Sequence, residues 1–347
     1  MNSKILSICI PSYNMEQYLD RSVSSLVASK ELNNIEIIIV NDGSKDQTLQ
    51  IAQAYKEKYS QSIIVIDKPN GHYGSTVNAA IQIATGKYFR ILDADDWFDT
   101  ISFDYFIHKL RELDTDCVFT KFTIHDFKHN TLIEQDTTNV IFDKVLTLDE
   151  YIIPQSCYYM HSLTYKLQLL KEIHYTQTEG ICYTDSEYVF FPLRAAKDIY
   201  NMNISLYQYY VGRNDQSMSP KVLLRNMRQY YILSNRFITN YIPKSGNRNV
   251  DSIQDIYIYQ TMIFSLRAHI LYNWYNEETD SQLRSNLNLL KNTNPTIYAK
   301  LLQIQQHGIK WVKVWIKHKT LHKYLFFPIK LYFVYISVPL KWDELNN

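Results

Sequence analysis

The chain has 347 residues, 46% of them hydrophobic and 20% charged, with a formal net charge of +1. That composition excludes a disordered chain, and the even charge balance excludes a basic surface built to gather nucleic acid. The length suits one large domain or two ordinary ones. The 29 tyrosines fit either carbohydrate-stacking surfaces or a residue usage biased toward Ile, Asn, Lys and Tyr. Cys9, Cys117, Cys157 and Cys182 form no C-x-x-C pair and read as reduced, semi-buried residues. The N-terminal stretch "MNSKILSICIPSYN" has no long apolar region or small-residue cleavage site, so a cytoplasmic protein without a signal peptide is expected.

In chain order, "ILSICI" (5–10) is a short β-branched run, and a helical pattern covers 15–32. "IEIIIV" (35–40) reads as a buried strand stopped by "NDGS", with helical spacing over 46–59. "SIIVID" (62–67) is a strand stopped by "KPNG", and 75–84 is helical, ended by Gly86. "KYFRIL" (87–92) is a strand stopped by "DADD". A helix, a strand near 117–124 and a polar hairpin around "KHNTLIEQ" follow, then a second block over 157–213. From Val222 onward the pattern is helical almost throughout. The expected boundary lies near Pro220, dividing a catalytic domain (1–220) from a helical C-terminal domain (221–347). Alternating strands and helices predict an α/β fold with a mostly parallel, twisted sheet. Ligands of such sheets bind outside the carboxyl ends of the strands. Here "PSYN", "NDGS", "KPNG" and "DADD" all fall at such ends.

The carboxylates of "RILDADDWFD" (90–99) repel one another and need a reason to be close. Asp93 and Asp95 point toward a common space once the strand gives way to a turn. Two such carboxylates suit Mg2+ or Mn2+ and leave coordination positions for phosphate oxygens. Asp96 and Asp99 read as turn, cap or acceptor-side residues. Asp42 in "NDGS" would accept hydrogen bonds from a base imide or ribose hydroxyl; the plain alternative is a strand–turn–helix connection with Gly43 at positive φ and Asp46 as N-cap. Pro11 fixes the "PSYN" turn, and Tyr13 offers a flat face to a planar base.

"SICIPSYN", "IIIVNDGSKDQT", "NGHYGSTVNAAIQIATGKY" and "RILDADD" resemble the nucleotide-sugar-binding half of the family 2 inverting glycosyltransferases. The resemblance is close over 4–100, looser to about 220, and fades beyond. It implies a GT-A fold, a nucleotide-diphosphate-sugar donor, most often UDP-linked, and a divalent metal, Mn2+ or Mg2+. By position it places Pro11 and Tyr13 at the nucleobase, Asp42 at the base or ribose, Asp93 at the ribose and metal waters, and Asp95 on the metal. Asn78 falls in the third donor-binding segment. Val77 stands where the family often has Arg or Lys, with Lys68, His72 or Tyr73 as substitutes.

An inverting transfer needs one base within reach of the acceptor hydroxyl. "EGICYTDSEYVFFPLRAAKDI" (179–199) resembles the family's acidic pair at a helix start, with Thr184 in place of the first acid. Asp185 matches the catalytic base and Glu187 is the fallback; the plain alternative is a Thr184–Glu187 capping box. "YQYYVGRNDQSMSP" (207–220) resembles the closing segment, which would put Arg213 on the diphosphate with help from Ser217. "YMHSLTYKLQLLKE" (159–172) would wall the acceptor site, with His161 either packed or a metal or acceptor contact.

Residues 309–342 interleave lysines with aromatics, and the apolar run is shorter than the ~20 residues of a membrane-spanning helix. They read either as a peripheral membrane contact or as a core or dimer-forming helix pair. Together these features predict a metal-dependent glycosyltransferase acting on a glycan, glycolipid or wall-polymer hydroxyl. The rival readings are a nucleotidyltransferase, which would want a Gly-rich phosphate loop absent from "IPSYNMEQYLDRS", and a non-catalytic glycan-binding or membrane scaffold.

Overall fold

The computed structural model describes residues 4–212, 226–269, 277–305 and 310–317. The chain divides into two compact units, one of residues 1–216 with 247–249, the other of residues 217–246 with 250–347.

The first unit is built on one mixed sheet. In chain order it contains β1 (Leu6–Ser12), α1 (Leu19–Val27), β2 (Ile35–Asn41), α2 (Thr48–Lys58), β3 (Ile63–Asp67), α3 (His72–Ile83), β4 (Tyr88–Ile91) and β5 (Trp97–Phe98). Then come α4 (Thr100–Glu112), β6 (Cys117–Asp126), β7 (Thr131–Glu134), β8 (Val145–Thr147), β9 (Leu163–Lys166), α5 (Leu167–Glu172), α6 (Asp185–Ala195) and β10 (Asp198–Val211). The strand order is β3-β2-β1-β4-β9-β6-β10-β5, with β7 beside β6 and β8 beside β10. Strands β1 and β2 are buried along all seven residues, as parallel strands covered on both faces must be.

β1, β2, β3 and β4 are mutually parallel. β9 runs antiparallel to both β4 and β6, and β6 is parallel to β10. Six strands therefore run in one direction, and their carboxyl ends share one sheet edge. The helical and strand patterns fall within a few residues of their expected places. The antiparallel β9 wedged between β4 and β6 has no sequence signal in a short run such as "LTYK".

At two helix starts the local chemistry departs from the plain capping alternatives. Asp46 does not take the formal N-cap of α2; its Oδ1 accepts from Thr48 N at 3.0 Å and Thr48 Oγ1 at 2.6 Å, an Asx turn just ahead of the helix. The Thr184–Glu187 capping box does not form. Thr184 donates instead to Gln177 Oε1 at 3.0 Å, and Glu187 reaches Thr178. Asp99 does cap α4, accepting from Ser102 N at 2.9 Å.

The second unit is helical where described: α7 (Met227–Thr239), α8 (Arg248–Ala268), α9 (Glu277–Thr293), α10 (Pro295–Gln303) and α11 (Trp311–Lys317). Within α11, Trp311, Val312 and Trp315 are buried while Lys313 and Lys317 are exposed. Arg284 lies 4.1 Å over the Trp315 ring. These two tryptophans belong to the core of the unit, and residues 309 and 318–342 of the segment read as a membrane contact or a core or dimer-forming helix pair lie outside the described residues. No described helix is long and apolar enough to cross a membrane.

Candidate active site

The ends of β1, β2 and β3 form one side of the shared edge. Asn14 takes a positive φ of 54° after β1, and its Oδ1 accepts from Lys45 N at 2.8 Å. Its own N–H donates to Ser44 Oγ at 3.0 Å, and Glu16 N donates to Asp46 Oδ2 at 3.0 Å. These bonds lock the "PSYN" loop to the loop after β2. Pro11 is buried, and Tyr13 leaves 46% of its surface exposed beside them. Gly43 has φ +71°, and a Cβ there would lie 3.0 Å from Asn70 N, so the third loop closes onto the second only because this residue is glycine.

Asp42 is buried at the centre of these loops. Its Oδ1 accepts from Lys68 Nζ at 2.6 Å and from Gly71 N at 2.9 Å. Lys68 also donates to Ser75 Oγ at 2.8 Å. A buried carboxylate needs such partners. Asp42 is thus anchored to the chain's own lysine, with both bonds on one oxygen.

At the end of β4 the acids separate by environment. Asp93 is half-buried, and its Oδ1 accepts from Tyr73 Oη at 2.7 Å. Asp95 is half-buried, and its carbonyl accepts from Arg21 Nη2 at 2.6 Å. The Arg21 guanidinium packs over the rings of Trp97 at 4.1 Å and Tyr210 at 4.8 Å. Asp96 is wholly buried; its Oδ2 accepts from Tyr207 Oη at 2.6 Å and its Oδ1 from Tyr210 N at 2.7 Å. Burial, reinforced by the charges of Asp95 and Asp93, pushes the Asp96 carboxyl well above the usual carboxylate range.

Ligand atoms of Asp93, Asp96 and His161 all lie within 4.8 Å of one another. Two carboxylates and an imidazole are a donor set for a divalent transition cation. Burial, with a lesser push from Arg90, lowers the His161 pKa to about 3, which keeps its imidazole neutral. The structure therefore brings Asp96 and His161 to Asp93, where the sequence pointed to Asp93 and Asp95. Their meeting depends on β10 and on the turn Met160–Ser162, more than 60 residues away in sequence, so local spacing could not reveal it.

Asp185 is the first residue of α6 and is exposed to solvent. The protein packed around its carboxyl still disfavours the ionised form and raises its pKa, against the opposing backbone N–H of Ser186. Tyr209 joins the groups into one field. Its hydroxyl pKa is pushed up by burial and then by the charges of Asp96, Asp93, Asp95 and Asp185. Asp185 also acts on Tyr73, the partner of Asp93.

Asn78 faces elsewhere. Its Nδ2 donates to Gln177 O at 3.0 Å and Glu179 Oε1 at 2.9 Å, and its Oδ1 accepts from Gln177 N at 2.8 Å. These bonds pin α3 to the segment leading into α6. Gly74 serves the same contact, since a Cβ there would lie 2.2 Å from Thr178 O. Of the three substitutes for the missing family cation, Lys68 holds Asp42, Tyr73 holds Asp93, and His72 Nδ1 lies 3.7 Å from Cys182 Sγ. Arg213 and Ser217 lie outside the described residues.

The family model described as "Glycosyl transferase family 2" matches residues 7–173. An uncharacterized glycosyltransferase of Mycoplasma pneumoniae is 41% identical over 97 residues, which are 27% of this chain and 32% of that protein. The matches span 32%, 40% and 59% of the first three curated relatives' own lengths. Staphylococcus aureus TarS, solved in complex with UDP-GlcNAc, superposes with a TM-score of 0.56 at 18% identity, covering 84% of this chain and 82% of that one. A mannosyltransferase from Pyrobaculum calidifontis, solved in complex with GDP-Man and Mn2+, gives 0.51 at 13% identity, covering 86% and 83%. At such identities the likeness speaks for the fold.

Proposed function

We propose, for a chain whose residues 7–173 belong to glycosyl transferase family 2 and whose fold is GT-A, that it transfers a sugar with inversion from a nucleotide diphosphate donor to a hydroxyl acceptor. The donor is a UDP-sugar, and the acceptor is a glycan, a glycolipid or a wall polymer. One observation carries this reading: just past the carboxyl end of β4, ligand atoms of Asp93, Asp96 and His161 lie within 4.8 Å of one another.

In this reading Tyr13 covers the nucleobase, and the free side of Asp42 meets the base or ribose. The Lys68 contact sets that carboxylate before the donor arrives. Asp93 and Asp95 face the diphosphate, and Asp93, together with Asp96 and the neighbouring His161 imidazole, would hold a divalent cation, for which they are a fitting donor set. When bound, the cation would neutralise negative charge developing on the leaving phosphates.

Asp185 takes the proton of the acceptor hydroxyl. The acceptor oxygen forms the new bond to the anomeric carbon, and the bond from that carbon to the phosphate oxygen breaks. The nucleoside diphosphate departs with the electron pair. A carboxylate with a raised pKa is the better base for this step, since proton-transfer efficiency rises toward the working pH. The test pairs binding with turnover. Asp185→Asn should bind UDP as tightly as the native chain and release no nucleotide from the sugar donor in the presence of acceptor. Normal turnover by Asp185→Asn would place the base elsewhere.

A further inference from the structure

Arg90, on β4, is wholly buried, and no carboxylate pairs with it among the described residues. Its Nη1 donates to Thr164 Oγ1 at 2.8 Å, and its Nη2 donates to Thr120 Oγ1 at 3.1 Å and to the carbonyl of His161. The rings of Phe98 and Phe106 lie 5.3 and 5.6 Å from the guanidinium. A buried cation without an anion is strongly disfavoured, and the Nη1 and Nη2 contacts offset only part of that cost, since Nε is also buried and has no hydrogen-bond partner among the described residues. A Leu or Met in this place would fill the interior without that penalty. What the guanidinium holds, besides two hydroxyls, is the backbone of His161.

The His161 ring is fixed on three sides, with centroids 4.4 Å from Tyr209, 4.8 Å from Tyr207 and 5.6 Å from Phe122. Its Nδ1 is buried and has no hydrogen-bond partner among the described residues. A ring nitrogen of this same imidazole lies within 4.8 Å of ligand oxygens of Asp93 and Asp96, and a cation seated among the three would give the site the partner it lacks. Tyr207 Oη and Tyr210 N, both bonded to Asp96, are the outer partners that such ligands require.

We propose that His161 is the nitrogen ligand of the divalent cation, completing a seat with Asp93 and Asp96, and that Arg90 is the positioning residue that carries it. This rests on the reading above that the site takes a divalent cation. A seat of one imidazole and two carboxylates favours Mn2+ over Mg2+, which prefers an oxygen shell.

The test uses the full chain loaded with Mn2+ alone, so it does not depend on a donor. Pulsed electron paramagnetic resonance should show nitrogen coupling to Mn2+ in the native protein and none in His161→Ala. Calorimetry should show Mn2+ affinity falling 10- to 100-fold in His161→Ala and about tenfold in Arg90→Lys and Arg90→Met. In the His161→Ala background the Arg90 changes should weaken Mn2+ no further. Near-UV circular dichroism checks folding, and Arg90→Lys, which keeps the charge, covers the case in which Arg90→Met fails to fold. Absent nitrogen coupling in the native protein, or Mn2+ affinity within twofold in His161→Ala, would overturn the ligand. An Arg90 effect of equal size in both backgrounds would overturn the positioning. Failure of the native protein to bind UDP while nitrogen coupling is present would instead sink the donor reading and leave the cation seat standing.

Discussion

Thr178 donates both its backbone N–H and its hydroxyl to Glu187, at 2.6 and 2.7 Å. Both Glu187 oxygens are therefore engaged in holding the segment that leads into α6, and the residue is wholly buried. Asp185, two residues earlier, stays open to solvent. The pair separates into a structural acid and a candidate base. Glu187→Gln should lower stability by ~1–2 kcal/mol, because the hydroxyl of Thr178 then faces an amide with less acceptor capacity. It should retain sugar transfer. Asp185→Asn should do the reverse, with an unchanged melting temperature and lost transfer. Chemical denaturation and a nucleotide-release assay read the two effects.

Asp185 also sets a pH dependence. Its carboxyl is raised above the ordinary Asp value of about 3.9. A base works only when ionised, so kcat/KM should fall as pH drops through that raised value. The acid limb should therefore lie above pH ~4. An acid limb at or below the ordinary value would remove Asp185 from the role.

Asp96 gives a stability signature. Its folded pKa is raised by burial and by its acidic neighbours, so the folded chain binds this proton more tightly than the unfolded chain does. The stability from this group is full below about pH 4 and is lost as pH rises through the folded value. In EDTA, the native melting temperature should decline from acid toward neutral pH more steeply than that of Asp96→Asn. Parallel curves for the two proteins would show that Asp96 does not carry the strain.

Gly74→Ala should destabilise the first unit. The new methyl would sit 2.2 Å from Thr178 O, which is backbone and cannot rotate away. Overpacking of this kind costs ~1–3 kcal/mol. Because α3 and the 177–179 segment are tied by Asn78, the same change should also reduce transfer. Urea unfolding with wild-type stability would show that the contact yields easily.

The four donor-side strand ends were legible because apolar runs stopping at "PSYN", "NDGS", "KPNG" and "DADD" fix both the strand and its polar terminus. Asp99 was legible as a helix cap for the same local reason. The capping box at Thr184 had the right spacing and still failed. Gln177 and Thr178 compete for those side chains, and their arrival is set by tertiary packing. Asn78 matched a donor-binding segment but turns to the 177–179 backbone, which lies 99 residues away. Asp96 was read as a turn, cap or acceptor-side residue because its partners, Tyr207 and Tyr210, come from a strand 111 and 114 residues downstream. Local patterns report local bonds, and this site is closed by distant ones.

The aromatics of 309–342 fitted either a membrane contact or a core or dimer-forming helix pair, and the burial of Trp311 and Trp315 in the second unit agrees with core packing for these two. Trp315→Ala should cost that unit ~3–5 kcal/mol. Sedimentation with anionic vesicles should show no change for this variant at a temperature where it stays folded. A loss of vesicle binding would mean that the ring faces lipid.

The most direct measurement is a calorimetric titration of UDP, GDP and dTDP into the native chain, each with Mn2+ and with EDTA. Saturable, one-to-one binding of UDP that requires Mn2+ is the expected result, with weaker binding of the other two. Binding of none of the three, with the chain folded and Mn2+ present, would contradict a nucleotide-sugar donor at this sheet edge.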